Sequence, residues 1–224
     1  INDTNASIKI GASMPLTGNF AVPGSKHLEG YEMCVDIINR HGGWLDQEVE
    51  LVVSDNRSDT ETAIAQYERF INVDKVDLTF GTFSSKLTFP ISPILAKYNA
   101  IHPIPSGGAL RIFSQGHKNL FYFQASAAEY VGTNMVGLIN DLVEDKPTKA
   151  AVVHADDFFA NSIATGLLGE KVVMPGSGEL VEDLAPGYIR AAGIELVYHE
   201  QWPEEGFSDL SLIHISEPTR LGAI

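Results

Sequence analysis

The residues most able to act on another molecule stand in two short runs. Thr82-Phe83-Ser84-Ser85 follows an apolar stretch and opens a helical one. Backbone N–H groups at a helix start have no partner inside the helix, and the helix dipole adds partial positive charge there. With the hydroxyls of Ser84 and Ser85 beside them, they form a small anion site suited to a carboxylate. The same run also reads as a plain N-cap, a role serine fills in any helix. Pro105-Ser106-Gly107-Gly108 is the second run. Its glycines let a backbone approach a ligand closely, and it also reads as an ordinary turn. His154, Asp156 and Asp157 are metal-ligating types but lack matching partners at helical spacing, so they read as a solvated loop and no metal is expected. Phe158-Phe159 opens a helix beside that loop, where aromatic rings either pack or line a crevice. No GxGxxG follows the first strand, no phosphate-binding GKS or GKT is present, and Gly176-Ser177-Gly178 lacks the spacing of a hydrolase elbow. No catalytic residue, no cofactor and no enzyme activity are expected.

The elements that must position these runs follow from periodicity. Ile8, Ile10 and Ala12 alternate with Lys9 and Gly11 as a strand, and Met14 to Gly18 breaks it. Leu28, Tyr31, Val35 and Ile38 make one helical face, closed by His41-Gly42-Gly43, and Cys34 shares that face as an expected core residue. Further strands are predicted at Val49–Val53, Val76–Phe80, Ile101–Ile104 and Leu120–Phe123. Asp59 or Thr60 caps a helix bearing Ile64, Tyr67 and Ile71. Leu87 to Tyr98 forms the next helix, with Pro90 and Pro93 tolerable only near its start. The pattern restarts with a helix over Val131 to Leu142, a strand at Ala150–Val153, a helix over Phe158 to Leu168 and a strand at Ile194–Tyr198. Gly169 to Arg190 interrupts as a loop with a helical turn near Glu179 to Leu184. Alternating strands and helices give parallel βαβ units. The fold class is therefore α/β. A doubly wound, Rossmann-like parallel sheet fills 7–122, and an incomplete second α/β lobe fills 123–209. Ligands in such sheets bind beyond the carboxyl ends of the strands. This nominates the loops Met14–Gly24, Asp55–Ser58, Thr82–Ser85, Pro105–Ala109 and His154–Phe159.

Composition narrows the partners. The 224 residues carry 15 Lys+Arg against 29 Asp+Glu, a formal charge of −14, which repels phosphate backbones and argues against nucleic acid. Hydrophobic residues at 44% and charged residues at 20% suit a packed core. No apolar run reaches the roughly 18 residues of a membrane span, so no direct membrane insertion is expected. The single cysteine excludes an intrachain disulfide. Ile1 to Ser7 shows no signal-peptide pattern, which reads as a processed mature end or a fragment. Leu210 to Arg220, LSLIHISEPTR, matches the codon-by-codon translation of a transposase-type sequencing adapter, so 210–224 is expected to be a non-native tail.

The order of the short motifs carries a resemblance. Ile8-Lys9-Ile10-Gly11-Ala12 with Pro15-Leu16-Thr17-Gly18 opens the pattern. Gly24, Glu29-Gly30, Ile37 to Asn39, Gly42-Gly43, Asp55, Gly81 with Ser84-Ser85, Pro103 to Pro105 and Ala150-Val152-His154 continue it. Over roughly Ile8 to Asp209, apart from Gly169–Arg190, the chain resembles type 1 periplasmic solute-binding proteins, the branched-chain amino acid, amide and urea binding group of ABC importers. The resemblance implies two Rossmann-like lobes that hinge shut on a small polar carboxylate or amide such as an amino acid. It implies delivery to ABC permease subunits and a periplasmic or extracytoplasmic location. Ser85 falls on the hydroxyl position that holds a ligand carboxylate, and Ser106 on a position that uses backbone groups. Gly108 stands where branched-chain binders carry a threonine, Phe159 where they carry a tyrosine, and Pro23 at another aromatic contact position. These departures weigh against a plain leucine-like ligand. The implied ligand-binding set is Ser85, Ser84, Ser106, Gly107, Gly108 and Phe159. A ligand-sensing domain of a receptor or regulator on the same fold is the alternative reading.

Overall fold

A computed structural model describes residues 7–142 and 144–204. The residues expected to form the adapter-like tail, 210–224, lie outside them. The strands of the first lobe are β1 (Ile8–Met14), β2 (Val49–Asp55), β3 (Leu78–Phe80), β4 (His102–Ile104) and β5 (Leu120–Tyr122), and the first three form its main sheet. β1 lies between β2 and β3, parallel to both, with Ile8 opposite Val49 and Met14 opposite Asp55. β4 and β5 form a second parallel ladder. It abuts β3 where the Thr79 N–H and hydroxyl both donate to the Ile101 carbonyl, at 3.3 and 3.1 Å.

Helices connect the strands: α1 (Ala21–Arg40), α2 (Thr60–Arg69), α3 (Ser85–Lys97) and the single turn α4 (Leu110–Phe113). Asp59 caps α2 by accepting from the Thr62 N–H at 2.8 Å. Past Arg69 the chain widens into a π-turn over Phe70–Asp74 and leaves it through Lys75 at φ 54°. Those extra helical residues delay β3, which starts at Leu78 rather than Val76. Pro90 and Pro93 sit in the interior of α3, not near its start. Pro93 has no N–H for the Phe89 carbonyl, and the Gln115 side-chain amide donates to that carbonyl instead, at 3.4 Å.

The core of the first lobe lies between its sheet and α2 and α3. Ala63, Tyr67, Phe70, Ile91 and Leu95 are fully buried there. α1 packs against the sheet away from this core. Between it and the sheet runs an apolar groove of about 240 Å³, lined by Tyr31, Cys34, Ile38, Leu78 and Phe80 among others. Cys34 is therefore exposed on the groove wall rather than packed in the core. Phe121 and Phe123 extend this uncovered face, at 49% and 63% exposure.

The second lobe holds α5 (Val131–Leu142), β6 (Lys149–Ala155), α6 (Phe158–Leu168), β7 (Lys171–Val173), β8 (Leu180–Asp183), α7 (Tyr188–Ala191) and β9 (Glu195–Trp202). β6 and β9 pair parallel, with a bulge after Ala150. Val152, Ala164, Leu168, Ile189 and Ile194 pack beneath them. Gly169–Arg190, expected to be a loop with a helical turn, is mainly an antiparallel β7–β8 hairpin. Val172 and Val173 carry the β-branched preference that sets it, and Val172 is fully buried. No described helix is long and apolar enough to cross a membrane.

Candidate functional site

A buried polar layer underlies the carboxyl ends of the first sheet. Ser13, Asn56, Thr79 and Thr82 are all buried there. The Asn56 amide donates to the Ser13 hydroxyl (3.1 Å) and to the Thr82 hydroxyl (3.0 Å), and Ser13 donates to Gln66 Oε1 (2.8 Å). Such a layer is stable because each group finds a partner. Asp55 pins the β1–α1 loop above it. Its carboxylate accepts from the Leu16, Thr17 and Arg57 N–H groups at 2.9, 3.2 and 2.8 Å, and from the Thr17 hydroxyl at 2.7 Å. Burial opposes the charge on Asp55, but these bonds outweigh it and hold the carboxyl below its ordinary range.

The two nominated runs meet on this layer. Ser84 caps α3, its hydroxyl accepting from the Lys86 N–H at 3.1 Å. Its backbone sits at φ 84°, a region a side chain enters at a cost of about 1–3 kcal/mol. Thr88 ties the runs together: its hydroxyl lies 2.8 Å from the Ser84 carbonyl and 3.5 Å from the Ser106 carbonyl. Ser85 is fully buried, and its hydroxyl accepts from the Ala109 N–H at 3.3 Å. Ser106 is buried too. Gly107 and Gly108 allow the contact. A Cβ on Gly107, at φ 112°, would fall 2.6 Å from the Thr88 hydroxyl, and one on Gly108 would fall 1.9 Å from the Tyr122 hydroxyl. The Tyr122 phenol is raised above its usual range by burial and then by the Glu129 charge. Pro23 lies in the first turn of α1.

The second lobe approaches from the other side. Lys86, one residue past Ser85, pairs with Glu204 just beyond β9 at 2.7 Å. Asp157 caps α6, accepting from the Phe159 and Ala160 N–H groups at 2.9 and 3.0 Å. Phe158 is the aromatic that reaches the first lobe. Its ring lies 5.4 Å from that of Phe89 and 5.7 Å from the Arg111 guanidinium. Phe159 is half-buried on the same turn. The polar trio is split: Asp157 serves the cap, Asp156 accepts from the Asn161 and Gln201 amides at 2.9 Å each, and His154 turns to His199.

Four residues support the site, of which only Asn56 lies in a nominated loop. Asn56 and Thr88 bridge loops that are distant in sequence. Glu129, almost fully buried, accepts from the Leu110 N–H at 2.9 Å and so caps α4 from the next segment. Gln115 covers the carbonyl that Pro93 leaves free. Only three-dimensional proximity marks Thr88, Glu129 and Gln115. Among the described residues, no group of three or more His, Cys, Asp and Glu side chains is placed to hold a metal ion.

Comparison with known proteins agrees with this architecture. An "Amino acid binding protein" of Pseudomonas aeruginosa is 25% identical over 202 residues, covering 86% of this chain and 53% of that protein. "Leu/Ile/Val-binding protein homolog 3" of Brucella melitensis is 26% identical over 219 residues, covering 90% of this chain and 56% of that protein. The chain thus spans about half the length of these curated relatives. Among solved structures, the branched-chain amino acid transporter substrate-binding protein LivJ of Streptococcus pneumoniae, in complex with isoleucine, superposes with a TM-score of 0.74 at 21% identity. It covers 93% of this chain and 53% of that one. These relatives are binding proteins, not enzymes. Residues 7–169 match the periplasmic binding protein family, and with well over half of its length matched, this chain belongs to that family.

Proposed function

We propose that the chain supplies the first lobe (7–122) and part of the second (123–209) of an extracytoplasmic solute-binding component of an ABC importer. Its ligand is a small carboxylate or amide of the amino-acid class, passed on to permease subunits. The ligand-binding set is Ser84, Ser85, Ser106, Gly107 and Gly108, with Phe159 from the second lobe. One observation carries this reading: the start of α3 and the Ser106–Ala109 loop converge at the strand ends of one lobe while β9 of the other ends beside Lys86. N–H groups at a helix start, with serine hydroxyls beside them, bind a carboxylate without an arginine. Closure of two lobes on a solute then shifts an open–closed population, and this needs no reacting group.

The test uses this chain and NMR. Leucine, glutamine and acetate are titrated against the labelled protein, and amide shifts are followed. The amides of Ser84 to Lys86 and Gly107 to Ala109 move first and saturably with the carboxylates. If all three ligands leave these six amides in place at millimolar concentration, or move only amides elsewhere, the reading fails.

A further inference from the structure

Two imidazoles that the proposed solute site does not use meet on the second sheet. His154 on β6 and His199 on β9 are 45 residues apart in sequence, yet their Nε2 atoms lie 3.0 Å apart. We propose that His154 and His199 form a two-imidazole site for a divalent d-block cation such as zinc, nickel or copper. The distance carries the first step. A cation bonded to two imidazole nitrogens at about 2.0–2.1 Å, with an angle between square and tetrahedral, holds those nitrogens roughly 2.9–3.4 Å apart.

The neighbouring backbone carries the second step. His154 Nδ1 lies 3.0 Å from the Ala155 carbonyl oxygen. A carbonyl only accepts, so Nδ1 carries the proton and Nε2 presents its lone pair, the arrangement that orients metal-binding histidines. Without a cation, His199 Nε2–H donates to that lone pair. When a cation binds, the His199 proton moves to Nδ1 and both Nε2 atoms become ligands, with no net proton released. The rings lie within 15° of parallel with centroids 5.2 Å apart, so the nitrogens point at each other across the gap. The cation seats on the lone pair of His154, which Ala155 holds in place, and the exposed His199 swings about χ1 and the soft χ2 torsion until its own Nε2 lone pair meets the same point.

The frame is fixed. β9 runs parallel to β6 with His199 opposite Val152 and Gln201 opposite His154. Gln201 and Asn161 both hold Asp156. Water completes the coordination. Imidazole donors select zinc, nickel and copper over the oxygen-seeking calcium and magnesium.

The site is tested on the whole chain, independently of any solute. Calorimetry with zinc chloride gives one ion per chain, and calcium chloride gives none. H154Q and H199Q each weaken zinc by at least about tenfold, while C34S leaves it unchanged. The copper(II) electron paramagnetic resonance spectrum shows coupling to two nitrogens, reduced to one in either histidine variant. In the unsubstituted chain, zinc perturbs the ring-proton signals of both histidines, a readout that stands even if a variant fails to fold. Unchanged zinc affinity in both histidine variants, loss of binding in C34S, or a spectrum without coupled nitrogens overturns the proposal.

Discussion

His102 gives the chain a built-in acid sensitivity that can be worked out in advance. The imidazole is fully buried at the start of β4, and burial drives its pKa down to about 3. Thr79 Oγ1 lies 2.9 Å from His102 Nδ1, and a hydrogen bond to the Gly81 backbone favours the charged ring but is outweighed by burial. The remaining nitrogen, Nε2, faces a closed environment in which the Tyr67 ring stands edge-on at 5.4 Å. The unfolded chain binds a proton near pH 6.5 while the folded one does not, so stability is complete above that pH and falls as the pH drops from 6.5 toward 3. At pH 5 the gap of 1.5 units corresponds to about 2 kcal/mol. Urea denaturation of the native chain and of H102Q, at pH 8, 6.5 and 5, isolates this contribution because the other histidines are common to both. The native chain loses about 2 kcal/mol more than the variant between pH 8 and pH 5. Parallel stability curves would show that the ring is hydrated or already protonated in the fold, and the argument from burial would fail.

Other outcomes follow from named contacts. S85A leaves the Ala109 N–H without its 3.3 Å partner in a closed setting, costing about 1–3 kcal/mol in denaturation; it also abolishes the carboxylate-induced shift at residue 85. G108A drives a methyl to within 1.9 Å of the Tyr122 hydroxyl, and the chain loses about 1–3 kcal/mol as the loop is forced outward, read as a lower melting temperature. P93A restores an N–H for the Phe89 carbonyl, so Q115A costs less in that background than alone. F121S with F123S removes two exposed rings from the uncovered face and lowers binding of an apolar fluorescent dye, with the far-UV spectrum unchanged.

The parts of the fold legible in sequence are those set by local chemistry. Asp59 before a helical face and Ser84 at the α3 start are caps in fact as in pattern, because capping involves residues two or three apart. The parallel strands were legible because their apolar runs are bounded by turn residues. The β7–β8 hairpin was not, because Pro175-Gly176-Ser177-Gly178 marks a turn without saying what flanks it. Cys34 was misplaced for a different reason. Its helical face is apolar, but the groove between α1 and the sheet stays open. The π-turn after Arg69 leaves no sequence mark, and it moved a strand boundary by two residues.

The candidate site was legible for the same reason that its supports were not. Hydroxyls and glycines beyond strand ends announce themselves one loop at a time, since the sheet rule needs only local order. What joins the loops is set by packing. Thr88 has the composition of any helix residue, yet its hydroxyl fixes the spacing of the Ser84 and Ser106 carbonyls. Gly107 is required because that hydroxyl occupies the space a Cβ would need, so the glycine and the threonine explain each other only in three dimensions. His154 is the sharpest case. In sequence it belongs to a trio with Asp156 and Asp157, and that grouping dissolves in the fold. Its partner is His199, brought beside it by strand pairing across a bulge. A one-residue change in that register would turn His199 to the opposite face of the sheet and separate the two rings. The bulge after Ala150 is therefore as much a determinant of the pair as the histidines themselves.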